Sequence, residues 1–210
     1  MQKSKKKQPV QVIILLILSG EAVFILPFVL ARIFRPTYLE VFEINNLQLG
    51  TCFSIYGMVA LFSYLFGGPL ADRFHPRHLI STSLILTAIG GVYLSTYPEY
   101  SYLKYLFGYW GFTTIFLFWA AMIKATRIWG GANKQGIAFG FLDGGRGLVA
   151  AVFGSVGILI FSLFIDVDIS ETSLPERKEA FSYVILFTSV MVSIIGVLAF
   201  CFLKPFSSAC

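Results

Sequence analysis

The chain has 210 residues, of which 57% are hydrophobic and 13% charged, with a mean hydropathy of +0.78 and a net charge of +5. A soluble domain carries roughly a quarter charged residues. No soluble core of this length could bury so much apolar surface, so lipid is the solvent for much of it.

Residues 1–9 form a basic terminus with Lys3, Lys5, Lys6 and Lys7. The first apolar block, 10–31, is interrupted by Gln11, Glu21 and a few small polar groups. Its hydrophobicity runs past Glu21 to Leu30 with no A-x-A site, so it reads as an uncleaved helix rather than a signal peptide. Residues 32–47, with Arg35-Pro36 and Asn45-Asn46, read as a loop. Blocks 48–70 and 79–97 carry no charge and are joined by residues 71–78. Pro98-Glu99-Tyr100 makes a tight turn into 101–123, where Lys104 is the one charge. The fifth block, 136–165, contains Asp143 and Arg146. Residues 166–180 hold five acids and two bases, and the uncharged block 181–203 precedes a short tail, 204–210.

Each block reaches the roughly 17–25 residues that cross a bilayer as a helix, and the fifth exceeds them, which implies tilt or a protruding end. The runs do not alternate as barrel strands do. The expected fold is an all-α membrane protein, a bundle of six transmembrane helices over 10–203. With the amino terminus in the cytoplasm, ten bases face inward (Lys3, Lys5, Lys6, Lys7, Arg73, Arg77, Lys124, Arg127, Lys134, Lys204) and four outward (Arg32, Arg35, Arg177, Lys178). That bias places both termini in the cytoplasm of a multi-pass protein of the cell (inner or plasma) membrane. The basic residues sit beside the spans, so the net charge calls for no nucleic-acid partner. Cys52, Cys201 and Cys210 form no CxxC or Cys/His cluster, so neither a disulfide nor a metal is expected, and no cofactor.

Charge inside a span needs a reason. Glu21 lies about twelve residues into the first helix, roughly 18 Å deep and near the midplane, a candidate proton carrier or a structural acid. Asp143 and Arg146 share a helix face at i, i+3, as a packing pair or as a solute site. Arg32 lies eleven residues beyond Glu21 and points within about 20° of it, unless Pro27 bends the helix. By itself it reads as an arginine reaching for the outer surface. Lys104 is an interfacial anchor. Gly136, Gly140 and Gly144, extended by Gly147, Ala151 and Gly154, form a small-residue stripe suited to helix packing or sliding.

After the second block comes Gly67-Gly68-Pro69-Leu70-Ala71-Asp72-Arg73-Phe74-His75-Pro76-Arg77-His78. This resembles the signature G-x-x-x-D-[RK]-x-G-[RK]-[RK] between helices 2 and 3 of the major facilitator superfamily. Gly68, Asp72, Arg73 and Arg77 match it; His75 and Pro76 depart from it. The D-R-x-x-P-R form is similar to the organophosphate/phosphate antiporter and nitrate-porter-like branches. Gln135-Gly136 stands where the family often has R-G at the start of helix 5.

The resemblance implies the amino-terminal half of a major facilitator fold and transport of a small, anionic solute by an ion- or antiport-coupled carrier. It implies a latching role for Gly68, Asp72, Arg73 and Arg77, and a cavity-facing, solute-binding position for Arg146, with Asp143 beside it. It implies a phosphate-contacting role for Arg32. The branch's helix 2 lysine is replaced by Tyr64. Alternating access uses two bundles, so a second six-helix bundle is an expected partner, either a missing carboxyl-terminal half or another copy, alongside the lipid bilayer and the solute. The alternative is a non-transporting interaction or scaffold protein, or an inactive fragment. No HExxH, GxSxG or facing Asp pair points to an enzyme.

Overall fold

The computed structural model describes residues 9–164 and 173–203. The lysines of the amino terminus, most of the acidic fifth connection and the tail lie outside the described residues. Among those described there is no strand, and six helices are long and apolar enough to cross a membrane. They are Val10–Ile33, Asn46–Arg73, Pro76–Leu94, Tyr100–Gly130, Gln135–Leu163 and Leu174–Phe202, here called spans 1 to 6. A short helix, Arg35–Val41, follows span 1.

Spans 2, 3 and 6 begin two to seven residues before their apolar blocks, on start signals that hydropathy does not read. Span 2 opens on a reciprocal box: the Gln48 N–H donates to Asn45 Oδ1 and the Asn45 N–H to Gln48 Oε1, both at 2.9 Å. Span 3 starts on Pro76, whose missing N–H is harmless at the first helical position. Span 6 starts at Leu174, inside the segment read as a loop, after the Ser173 N–H donates to Glu176 Oε2 at 2.9 Å. Residues 32–47 likewise hold a helix, with Pro36 in its first turn. Span 4 stops at Gly131, whose φ of +62° suits glycine.

Two spans contain wide, π-helical turns, Ile25–Val29 and Phe112–Trp119. Pro27 explains the first, since it removes a backbone donor and crowds the preceding turn. Hydroxyl groups serve the second. Thr114 Oγ1 donates to the Trp110 carbonyl at 2.7 Å and Ser83 Oγ to the Thr113 carbonyl at 2.7 Å. Such partners keep irregular backbone satisfied where water is absent.

Span 1 packs on spans 5 and 6, span 2 on span 4, and span 3 on spans 4 and 6. Span 1 is the most buried of the six and span 5 the least. Close approach holds the bundle together, because lipid gives helices no hydrophobic reason to associate. A Cβ on Gly111 would lie 2.6 Å from the Tyr56 carbonyl oxygen, and one on Gly67 would lie 3.1 Å from that of Phe116. At the predicted outer rim, Arg177 pairs with Glu40 and Lys178 Nζ with Glu43 Oε1 at 2.9 Å. The Tyr97 hydroxyl donates to the Lys178 carbonyl, and its burial pushes the phenol pKa up. This clasp ties the connection after span 1 to the start of span 6.

Candidate functional site

Spans 1, 2, 4 and 5 wall an open cavity of about 520 Å³. Its charged lining is Glu21, Arg32 and Arg146, and Tyr56 and Tyr64 add hydroxyls. Span 1 supplies Glu21 and Arg32 from either side of its π-helical turn.

Arg146 is the most constrained of these groups. Its Nε lies 3.4 Å from Glu21 Oε2 and its Nη1 3.7 Å from Asp143 Oδ1. Its guanidinium carbon sits 5.4 Å from the centre of the Phe24 ring and 5.7 Å from that of Trp119. Attraction to both ring faces holds the guanidinium in place. Two neighbouring glycines allow the approach of the helices. A Cβ on Gly20 would come within 3.1 Å of Arg146 Cδ, and one on Gly145 within 2.7 Å of Ile17. The carboxylates therefore balance much of the Arg146 charge. Arg32 differs: it is exposed to the cavity, and among the described residues no acid lies within ion-pair distance of it.

The structure thus brings Glu21, Arg32 and Arg146 together. Asp143 touches Arg146 from the rim with its side chain 71% exposed. The Glu21–Arg146 pair between spans was not legible: in sequence Arg146 reads as the partner of Asp143. The sequence signal is a glycine beside each charge, Gly20-Glu21 and Gly145-Arg146. The aromatic clamp of Phe24 and Trp119 also escapes a reading of those rings as core or interface residues.

The glycines divide into those in contact and those in open space. Gly68 meets nothing within 4 Å; the close contact of span 2 falls to Gly67, one residue around the helix. Gly136, Gly140, Gly144 and Gly147 are likewise free of neighbours within 4 Å. In span 5 the helix contacts are made by Gly145, Gly157 and, within the stripe, Gly154, because those face span 1 and the residues after it, while the other four glycines of the stripe point out of this bundle. In the signature turn, Asp72 and Arg73 are exposed, and Arg77 lies over the Phe200 ring at 5.4 Å. Among the described residues Asp72 makes no ion pair; instead Lys124 Nζ of span 4 donates to the Ala71 carbonyl at 2.6 Å and the Asp72 carbonyl at 3.3 Å. Lys104 lies over the Tyr100 ring at 4.8 Å, away from the cavity lining.

Six apolar spans, four of them around a cavity with buried charge, suit a solute carrier, and the Major Facilitator Superfamily profile matches residues 12–208. The chain belongs to the major facilitator superfamily. It is similar to inner membrane protein YihN of Escherichia coli (strain K12), at 31% identity over 71% of this chain and 35% of that protein. Inner membrane protein YqcE of the same strain is 26% identical over 89% of this chain and 41% of that protein. A third relative, the uncharacterized protein MG294 homolog of Mycoplasma pneumoniae, is 28% identical over 79% and 36%. The chain therefore spans about a third to two fifths of the length of the curated relatives it matches. No solved structure matches it. Major facilitator membership makes this a multi-pass membrane protein of a family that moves small solutes across bilayers.

Proposed function

We propose that this chain forms one wall of a secondary carrier for a small anionic solute, worked by alternating access and residing in the inner or plasma membrane with both termini cytoplasmic. The observation that carries the reading is the free guanidinium of Arg32 in a cavity where Arg146 is already matched by Glu21 and Asp143. Arg32 receives the anion first, and Arg146, flanked by Asp143, supplies a second contact when the solute competes with Glu21. Glu21 then exchanges its arginine for a proton, which couples transport to an ion gradient. The open side of the cavity and the unpartnered Gly136–Gly147 stripe suit a second six-helix bundle, against which this one rocks. Gly68, Asp72, Arg73 and Arg77 lie at the rim where a conformational latch to that bundle would act.

Anion-dependent thermal stabilisation of the purified chain tests the site, because a ligand that binds the folded state raises its melting temperature. Stabilisation in wild type that is lost in Arg32→Gln supports it. Equal responses from the two proteins would remove Arg32 from the site. Glu21→Gln should abolish the pH dependence of uptake by reconstituted protein while keeping binding, and an unchanged pH profile would reject proton coupling.

A further inference from the structure

The cavity wall is more aromatic than an inorganic anion requires. Five rings line it: Phe24, Phe28, Tyr56, Tyr64 and Trp119. Apart from Tyr64, they are not independent side chains. Phe24 meets Trp119 edge-on at 6.0 Å, and Phe28 lies 6.3 Å from Phe24. Phe28 is held against Tyr56 at 4.6 Å and stacks on Phe53 at 5.3 Å. Tyr56 is fixed in turn by a 2.5 Å hydrogen bond between its hydroxyl and that of Thr114. The result is a rigid aromatic strip that begins at the Arg146 clamp and continues along span 1 towards Arg32.

Phe28 is the informative member. Phe24 and Trp119 are occupied by the Arg146 guanidinium, whereas Phe28 is half-buried, lines the cavity and holds no cation. It stands four residues, about one helical turn, before Arg32 on the same span. One turn separates an apolar ring from a free positive charge. The charge balance of this wall is also specific. Arg146 is already matched by Glu21 and Asp143, and among the described residues no acid lies within ion-pair distance of Arg32. The charge left for a solute is that single guanidinium, and Tyr64 contributes no further cation.

From this geometry we infer that the wall selects an organic monoanion, a carboxylate on a flat aromatic or otherwise unsaturated body, with its acid group on Arg32 and its ring against Phe28. The inference rests on the anion-binding reading of the cavity and narrows it. A small hydrated anion such as nitrate would satisfy Arg32 and leave the strip unused. A phosphate dianion would exceed the free charge by one.

The test is the anion concentration that gives half-maximal thermal stabilisation of the detergent-solubilised chain, measured for sodium benzoate, acetate, nitrate and phosphate over a chloride baseline. Benzoate should act at roughly tenfold lower concentration than acetate or nitrate, the scale of one good ring contact. Phe28→Leu, which retains apolar volume but removes the ring, should erase that preference, so that benzoate acts at the same concentration as acetate in the variant. If all four anions act alike and Arg32→Gln abolishes their effects, the anion site stands and the aromatic selection is overturned. A benzoate preference that survives in Phe28→Leu would overturn the aromatic selection equally. If none of the anions stabilises the wild-type chain, the anion-binding reading fails and this inference fails with it.

Discussion

Replacing Arg146 with leucine removes the cation that lies 3.4 Å from a carboxylate whose side chain is 11% exposed. At an effective dielectric of about 20, two unit charges at that distance attract by roughly 5 kcal/mol. Desolvation of both groups offsets much of that gain, but breaking one partner strands the other, and the usual loss is about 3–5 kcal/mol. Arg146 keeps 20% of its side chain open to the cavity, which favours the lower end, about 3 kcal/mol. For a chain of this size the melting temperature should fall by about 6–12 °C. Glu21→Gln alone should cost less, because the remaining guanidinium retains Asp143 and two aromatic faces. The double variant removes the stranded charge and should recover most of the loss, with a coupling energy of about 2 kcal/mol. Thermal unfolding of the four proteins in one detergent completes the cycle. Additivity of the two single losses within about 0.5 kcal/mol would refute the pair as an energetic unit between spans 1 and 5.

Four further substitutions separate the contacts that matter from those that do not. Gly111→Val forces a side chain onto the Tyr56 carbonyl and should cost about 1–3 kcal/mol in the same melts, whereas Gly140→Ala has open space and should be neutral or stabilising by up to about 1 kcal/mol. Lys124→Met withdraws the donor from the Ala71 and Asp72 carbonyls; hydrogen exchange should rise in the last turn of span 2, and unchanged protection would show that the lysine does not hold that end. Glu43→Gln breaks an ion pair in which the acid's side chain is 70% exposed. It should cost no more than about 1 kcal/mol, with the difference from wild type shrinking as salt is added.

The number and order of the spans are written in hydropathy, because a bilayer demands about twenty apolar residues and little else. Their ends are written in a different code. Asn45 with Gln48, Pro76, and Ser173 with Glu176 are start signals visible in the sequence, yet a reading led by charge places all of them but Gln48 in loops. Polar residues can be helical once outside the hydrocarbon, so hydropathy alone trims each helix to its greasy middle. For the cavity, intramembrane charge singled out Glu21, Asp143 and Arg146. It did not reveal that Glu21 and Arg146 meet, since that contact depends on which faces of spans 1 and 5 adjoin. The glycine stripe shows the same limit. Spacing makes Gly136, Gly140 and Gly144 a smooth surface, but only the packed bundle shows that Gly145, about a hundred degrees away, is the one in use.

The rim clasp bears on how the molecule is made. Glu40 and Arg177 are separated by 137 residues, and Glu43 and Lys178 by 135. A chain threaded into the membrane from its amino end must hold its first loop open through four more crossings before span 6 arrives to engage it. The clasp therefore closes only once span 6 is in place. The same ties make the bundle a ring rather than a row. A cut in the turn around residues 131–134 would leave a four-helix piece and a two-helix piece still joined, at the rim by the clasp and at mid-depth by Glu21 and Arg146. Two separately synthesised pieces divided there carry the complementary surfaces needed to find each other in the bilayer.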